Sequence, residues 1–341
     1  MNKRIFKNQT NTNSGVPFYK IGTFGKKADA FISKKLFEEY RKKYPYPKKG
    51  DLLISASGSI GRVIEYTGQQ AYYQDSNIVW LNHNDNLENI YLKAYYQIIH
   101  WSGIEGSTIE RLYNKNILNT KIYVPIKDEQ FKVGTIIDQI EKLITLQQRK
   151  LESFQFTYHE IIRRLFLKKA KWQQTKLSDL VTILDKNRKP VKKEDRLFGD
   201  TPYYGANGIQ DYISGFTHKG EFILIAEDGA NSLTEYPIYF VKGQIWVNNH
   251  AHVLKVNKDV SPLFLALALK QINYSKYTVG SSRNKLNLKD LENIAIFIPD
   301  NNEQQRIGQF YSNYLNYLRI NKKRIQYMKQ FKQFLLQNMF I

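Results

Sequence analysis

The stretch DEQFKVGTIIDQIEKLITLQQRK, residues 128–150, decides how this chain is read, because the chain contains it twice. Its continuation ends IIRRLF at 161–166, while NNEQQRIGQFYSNYLNYLRINKKR at 301–324 runs on to LLQNMF at 335–340. Adding 174 (303 − 129) carries Glu129-Gln130 onto Glu303-Gln304, Val133 onto Ile307, Leu151 onto Ile325 and Phe166 onto Phe340. Each copy reads as one long helix. Val133, Ile137, Ile140, Ile144, Leu151, Phe154, Tyr158, Ile161 and Leu165 fall four and three apart in turn, or seven across Gln147; Ile307, Tyr311, Tyr314, Leu318, Ile325, Met328, Leu335 and Met339 follow the same 3.5-residue rhythm. A 3.5-residue rhythm held over about five heptads is a coiled-coil seam, narrower than the apolar face of a helix lying on a globular core. Gln147 and Asn321 take the same seam position in each copy, where a polar residue fixes register. The expectation is that the two helices pair antiparallel and separate two similar domains.

Working outward, the copies extend to about 170 residues. Gly50–Ala56 (GDLLISA) matches GEFILIA at 220–226, Pro17-Phe18-Tyr19 matches Pro202-Tyr203-Tyr204, Gly106-Ser107 matches Gly280-Ser281, and Val124-Pro125 matches Ile298-Pro299. Strands are expected at 16–22, 52–56, 62–66 and 78–81, helices at 34–46 and 87–101, and a strand stopped by Pro125 or Pro299 before each long helix. Residues 1–15, rich in Asn and Thr, read as a poorly ordered start. WQQTKLSDLVTIL at 172–184 opens the second copy with no equivalent before Val16, so the first domain starts late. The fold class is therefore α/β in the mixed α+β sense. A first domain occupies 1–125, a long helix 126–170, a second domain 171–299 and a second long helix 300–341.

Charge bounds the partners. The chain's 341 residues carry 51 Lys+Arg against 31 Asp+Glu, a net +20. Residues 1–170 hold 27 basic and 16 acidic groups (+11), leaving 24 and 15 (+9) for residues 171–341, so both halves are basic. A polyanion, nucleic acid first, is the expected partner. With no Cys there is neither disulfide nor thiolate chemistry. Lacking a membrane-length apolar run and a signal-peptide core, the chain is expected in the cytoplasm.

Catalytic signatures are missing. No Asp or Glu is followed two places later by Lys, the one Gly-Lys (Gly25-Lys26) lies outside a phosphate loop, and no glycine-rich dinucleotide fingerprint or amino-methyltransferase motif occurs. His250 and His252 could ligate a metal but read as structural, and neither metal nor cofactor is expected on this chain. Gly58-Ser59-Ile60-Gly61 has the form of a backbone clamp for nucleic acid, though a turn between strands reads better. The stronger candidates are loops that align between copies yet differ in side chain. In the first copy these are Lys20, Ser57, Ser59, Arg62, Gln74, Asn77, Arg111 and Lys115. In the second they are Tyr204, Asn207, Asp228, Asn231, Asn248, His250, Arg283, Asn284 and Lys285. Such donors and acceptors suit phosphates and base edges, and one scaffold with two loop chemistries suits the reading of two short sequences.

At these residues the chain resembles the specificity (S) subunits of type I restriction–modification systems. The resemblance rests on Gly50-Asp51-Leu52-Leu53-Ile54, Pro202-Tyr203-Tyr204-Gly205-Ala206-Asn207-Gly208-Ile209 and Glu227-Asp228-Gly229. It rests further on Pro299 ahead of Glu303-Gln304-Gln305-Arg306-Ile307, on the terminal Leu335-Leu336-Gln337-Asn338-Met339-Phe340, and on the domain–helix–domain–helix order. It implies two target recognition domains, each reading half of a bipartite site in double-stranded DNA, with the helices as a ruler for the spacer. A helix of about 39 residues spans roughly 58 Å. The resemblance also implies a non-catalytic chain that docks two adenine methyltransferase subunits. These carry S-adenosylmethionine and flip the target base; two motor-nuclease subunits join a larger complex. The other readings are a self-contained DNA-modifying enzyme, and a truncated specificity subunit that regulates or reads one half-site.

Overall fold

The computed structural model describes residues 2–58, 60–83, 86–103, 111–167, 172–280 and 284–340. The chain divides into two compact units: Met1–Gln148 with Arg324–Ile341, and Arg149–Lys323. Each unit thus holds a domain plus one half of each long helix, Lys127–Leu167 and Asn301–Asn338.

In the second unit a six-stranded sheet runs, in order, Gly208–Ile213, Phe198–Gly205, Ile238–Val247, His218–Ala226, Ala251–Val256 and Val181–Ile183. The run FILIA within His218–Ala226 is fully buried, as expected of a central strand covered on both faces. Against it lies Pro262–Leu269, a helix with six consecutive buried residues, started by Ser261, whose hydroxyl accepts the Phe264 N–H. The first unit divides the same plan into two small sheets. One orders Thr10–Asn11, Ala30–Ile32, Val16–Tyr19 and Tyr72–Tyr73; the other Val63–Glu65, Leu52–Ser55 and Ile78–Trp80.

The duplication is visible in register. Phe18 faces Tyr72 and Tyr19 faces Tyr73 in a parallel pair; Tyr203 faces Trp246 and Tyr204 faces Val247 in the same way. The next hydrogen bond repeats too, from Gln74 N to the Tyr19 carbonyl and from Asn248 N to the Tyr204 carbonyl.

Helix pairing is antiparallel within each unit. In the first, Val133 and Ile137 pack with Leu336 and Phe340, and Lys332 Nζ meets Glu141 Oε1 at 2.8 Å. In the second, Tyr158 stacks on Tyr314 with ring centroids 3.4 Å apart, and Phe154 lies 4.2 Å from Tyr317. Ile144, Leu151, Ile307, Tyr311 and Ile325 are buried, whereas Ile140, Gln147, Leu318 and Asn321 are half-buried. Asn321 Nδ2 donates to the Tyr317 carbonyl of its own helix.

Five expectations are corrected. The seam leaves heptad spacing near its end: Ile162 is buried where Ile161 was expected, and Leu336 where Leu335 was. The slip falls at the same place in both copies (336 − 174 = 162), because there each helix turns from a partner helix to the broader core of a domain. The expected helices at 87–101 and 34–46 are shorter, Asn89–Tyr95 and Lys34–Lys43. The chain start is built in. Asn2 Nδ2 donates to the Tyr73 carbonyl and Ile5 joins the core of Val16, Phe18 and Phe37. Finally, Ala295–Ile298 pairs with Gln173–Lys176, but among the described residues no strand pairs with 121–125, and Tyr123 there is 70% exposed.

Candidate nucleic-acid interface

At the end of one core strand in each unit, the sheet hands over to loops that close on one another. Leu112 N donates to the Ala56 carbonyl in the first unit, and Leu286 N to the Glu227 carbonyl in the second. Ala56 N in turn donates to the Asn77 carbonyl, and Glu227 N to the His250 carbonyl. An isolated bridge then joins Ser57 to Arg111 and Asp228 to Lys285. These backbone bonds make Ser57 equivalent to Asp228, Asn77 to His250, and Arg111 to Lys285. All six were expected site residues.

The equivalent side chains bond each other with different chemistry. Ser57 Oγ and Asn77 Oδ1 lie 2.8 Å apart, a neutral hydroxyl–amide pair. Asp228 Oδ1 and His250 Nδ1 lie 2.6 Å apart, a carboxylate–imidazole pair. Beside them stand an exposed guanidinium in the first unit and, in the second, Lys285, whose Nζ is 3.6 Å from Glu227 Oε1. A cavity of about 310 Å³ opens among Ser57, Asn77, Arg111, Tyr113 and Lys115. An arginine fork suits guanine O6/N7 and an amide suits adenine N6/N7, whereas a carboxylate accepts from cytosine N4.

The remaining candidates divide by burial. Asn248 is buried, and its Oδ1 accepts the His250 N–H, so it shapes the loop from inside. Gln74 Oε1 accepts the Ile21 N–H. Asn207 is exposed yet doubly engaged, donating to the Gly229 carbonyl and accepting from Asn231 N, which fastens its own turn to the 228–231 loop. The Asn284 carbonyl accepts the Gly229 N–H, and Tyr204 is half-buried. Lys20 pairs with Asp29 at 2.9 Å, Arg62 donates to the Phe24 carbonyl, and Lys115 lies over the Tyr113 ring. Ser59 and Arg283 lie outside the described residues.

Beneath the second unit's site is a buried ionic group that sequence reasoning missed. His252 Nδ1 lies 2.5 Å from Asp185 Oδ2, and Asp185 Oδ1 also accepts the Val253 N–H. Arg188 reaches Glu227 at 2.6 Å and Asp185 at 3.3 Å. Asp185, Glu227 and His252 are close enough to hold a metal ion, but the guanidinium already supplies the positive charge. Burial pushes the Asp185 carboxyl up, and His252, the Val253 N–H and Arg188 outweigh it, so the group sits below the usual carboxylate value. His250, just before the strand Ala251–Val256, and His252, within it, thus serve two different acids. The lysine- and arginine-rich run at 186–196 was another available signal.

The family model described as the type I restriction modification DNA specificity domain matches the chain twice, over residues 1–154 and 169–330. A putative type I restriction enzyme specificity subunit from Haemophilus influenzae is 54% identical over 144 residues, covering 42% of this chain and 37% of that protein. The EcoprrI specificity subunit from Escherichia coli is 29% identical over 98 residues, 29% of this chain and 24% of that one. The alignments therefore span well under half of these curated relatives. Among solved structures, the S subunit from M. genitalium superposes with a TM-score of 0.68 at 16% identity, covering 100% of this chain and 92% of that one. A chain from a structure concerned with complex assembly and conformational transition of the type I R-M system gives 0.55 at 13%, covering 96% and 92%. No helix among the described residues is long and apolar enough to cross a membrane. With the specificity-domain model covering both copies of the repeat, the chain belongs to the type I restriction–modification specificity family.

Proposed function

We propose that this chain is the non-catalytic recognition subunit of a type I restriction–modification enzyme, each unit reading one half of a gapped site in double-stranded DNA. The observation that carries the reading is the equivalence of Ser57–Asn77–Arg111 with Asp228–His250–Lys285: one backbone frame, two hydrogen-bonding chemistries. An enzyme with a single substrate has no use for two such sites. A protein reading two different short sequences does. The net charge of +20 supplies sequence-independent attraction to phosphates. In this reading the paired helices set the spacer and hold two adenine methyltransferase subunits. S-adenosylmethionine binds to those partners rather than here, and two motor-nuclease subunits complete the larger assembly.

The test is co-expression with a type I adenine methyltransferase subunit from the same genome, followed by copurification and genome-wide mapping of N6-methyladenine. A stable complex that methylates a two-part motif with a fixed gap is expected. The purified chain alone should neither methylate nor cut DNA. Failure to bind the methyltransferase would sink the reading.

A further inference from the structure

The second unit carries a feature that the described residues at the equivalent place in the first unit lack. Leu197 and Phe198 are 76% and 91% exposed, two adjacent large apolar side chains in water. A β-bulge puts them there: Phe198 and Thr201 both register with Ile213, so the hairpin slips between them. Gly199 makes the bulge possible, because a Cβ at that place would lie 2.6 Å from the Ile213 carbonyl carbon and the Ser214 nitrogen. The Leu197 carbonyl still accepts the Ser214 N–H at 2.8 Å, so the backbone is tied down while the side chains are not. Bulges of this kind re-aim side chains and are features rather than defects.

The mounting is stiff. The Arg196 guanidinium lies 4.2 Å from the Tyr203 ring centre, pairs with Asp211 at 3.2 Å and donates to the Val191 carbonyl. The segment leading into the tip presents Lys186, Lys189, Lys192 and Lys193, all exposed. Carried back by 185 places (203 − 18), Leu197 and Phe198 fall on Thr12 and Asn13, both polar. The exposed charges round the apolar tip are Lys186, Lys189, Lys192 and Lys193 against Glu194, Asp195 and Asp200, a small positive excess on a chain of net +20, so the tip mismatches another copy of this chain. It matches a polyanion with an apolar interior, which is what stacked base pairs between two phosphate backbones offer.

We propose that Leu197 and Phe198 form an apolar wedge that leans between base pairs of duplex DNA at the half-site read by the second unit, with Lys189, Lys192 and Lys193 on the flanking phosphates. Phe and Leu wedges unstack a base step and bend the duplex, adding selectivity through the cost of deforming that step. The inference rests on the DNA-reading assignment above.

The probe is a duplex carrying the methylation-mapped site, with 2-aminopurine placed in turn at each position of the second half-site and its flanks, added to the methyltransferase complex. Wild type should raise the fluorescence at one step. Phe198→Ala should abolish the rise and weaken binding roughly tenfold, with an unchanged melting temperature because the side chain is exposed. Lys192→Ala with Lys193→Ala should keep the rise and lower the salt slope by about two. An unchanged rise and affinity in Phe198→Ala, with DNA binding intact, overturns the wedge alone. So does loss of methyltransferase copurification in that variant, which would make the tip a protein-docking surface. If wild type has no mappable site, the underlying assignment fails, and the wedge with it.

Discussion

Gln130 and Gln304, one near the start of each long helix, make the same pair of buried hydrogen bonds. Gln130 Nε2 donates to the Pro125 carbonyl at 2.8 Å while its Oε1 accepts Glu88 N at 2.8 Å. Gln304 Nε2 donates to the Pro299 carbonyl at 3.0 Å while its Oε1 accepts Ser261 N at 3.0 Å. Glu88 and Ser261 are the N-cap residues of Asn89–Tyr95 and Pro262–Leu269. One amide thus ties each long helix both to the proline before it and to the first turn of the domain helix.

Replacing either glutamine by alanine leaves backbone groups buried without partners, at about 1–3 kcal/mol each. Gln304→Ala and Gln130→Ala should each lower stability by about 2 kcal/mol in denaturant titration. A loss under about 0.5 kcal/mol, the range of ordinary surface substitutions, would show that water replaces the amide.

The repeat and the helix pair were legible because a 3.5-residue period survives any loop variation around it. The glutamine clamp was half-legible. Gln appears at matching places five residues after Pro125 and Pro299, but nothing in the sequence says what it holds. The slip from Ile161 to Ile162 was not legible, since either residue satisfies the apolar pattern and only the neighbouring domain chooses between them. The site was legible as loops and not as pairs. Ser57 meets Asn77, and Asp228 meets His250, through strand ends whose offsets between copies differ by two residues (228 − 57 = 171 against 250 − 77 = 173), which alignment by sequence blurs. The chain start was misread because a polar segment pinned by one amide, Asn2, and one apolar side chain, Ile5, carries no periodicity.

Close packing at two equivalent glycines should give unequal costs. A Cβ on Gly134 would lie 2.6 Å from the Ile90 carbonyl carbon and 2.7 Å from Tyr91 N, both backbone. On Gly308 it would meet the Ser261 hydroxyl at 2.8 Å, which can rotate away, and Leu263 Cβ and Phe264 N only at 3.2 and 3.3 Å. Alanine gains about 1 kcal/mol of helix propensity at either site. Gly134→Ala should therefore be the more destabilising by about 1–3 kcal/mol, as read from paired melting curves; equal costs would contradict the close approach at Ile90.

The Tyr158 hydroxyl is buried without a hydrogen-bond partner among the described residues, and burial raises its pKa far above the ordinary tyrosine value. The ring, stacked on Tyr314, supplies the packing. Tyr158→Phe should be neutral or stabilising by up to about 1 kcal/mol, while Tyr158→Ala should cost about 3 kcal/mol. Thermal unfolding of both variants checks this; a marked loss in Tyr158→Phe would reveal a partner for the hydroxyl.

Acid should weaken the second unit through Asp185. Its folded pKa lies below the unfolded value of 3.8, so its contribution is complete above the unfolded pKa and disappears as pH falls through the folded one. Asp185→Asn should lower stability at neutral pH, by removing the carboxylate partner of His252 and the second acid beside Arg188, and should flatten the loss below about pH 4. Urea titrations at several pH values would show it; parallel stability–pH curves for variant and wild type would contradict it.

The most direct measurement is N6-methyladenine mapping with one unit's site altered at a time, in complexes shown to assemble as wild type does. Asn77→Ala with Arg111→Ala should relax sequence requirements in one half of the gapped motif only. Asp228→Asn with Lys285→Ala should relax the other half only, with the gap length unchanged in both. If both pairs degrade the same half, or neither alters the motif, the two equivalent sites are not the two readers.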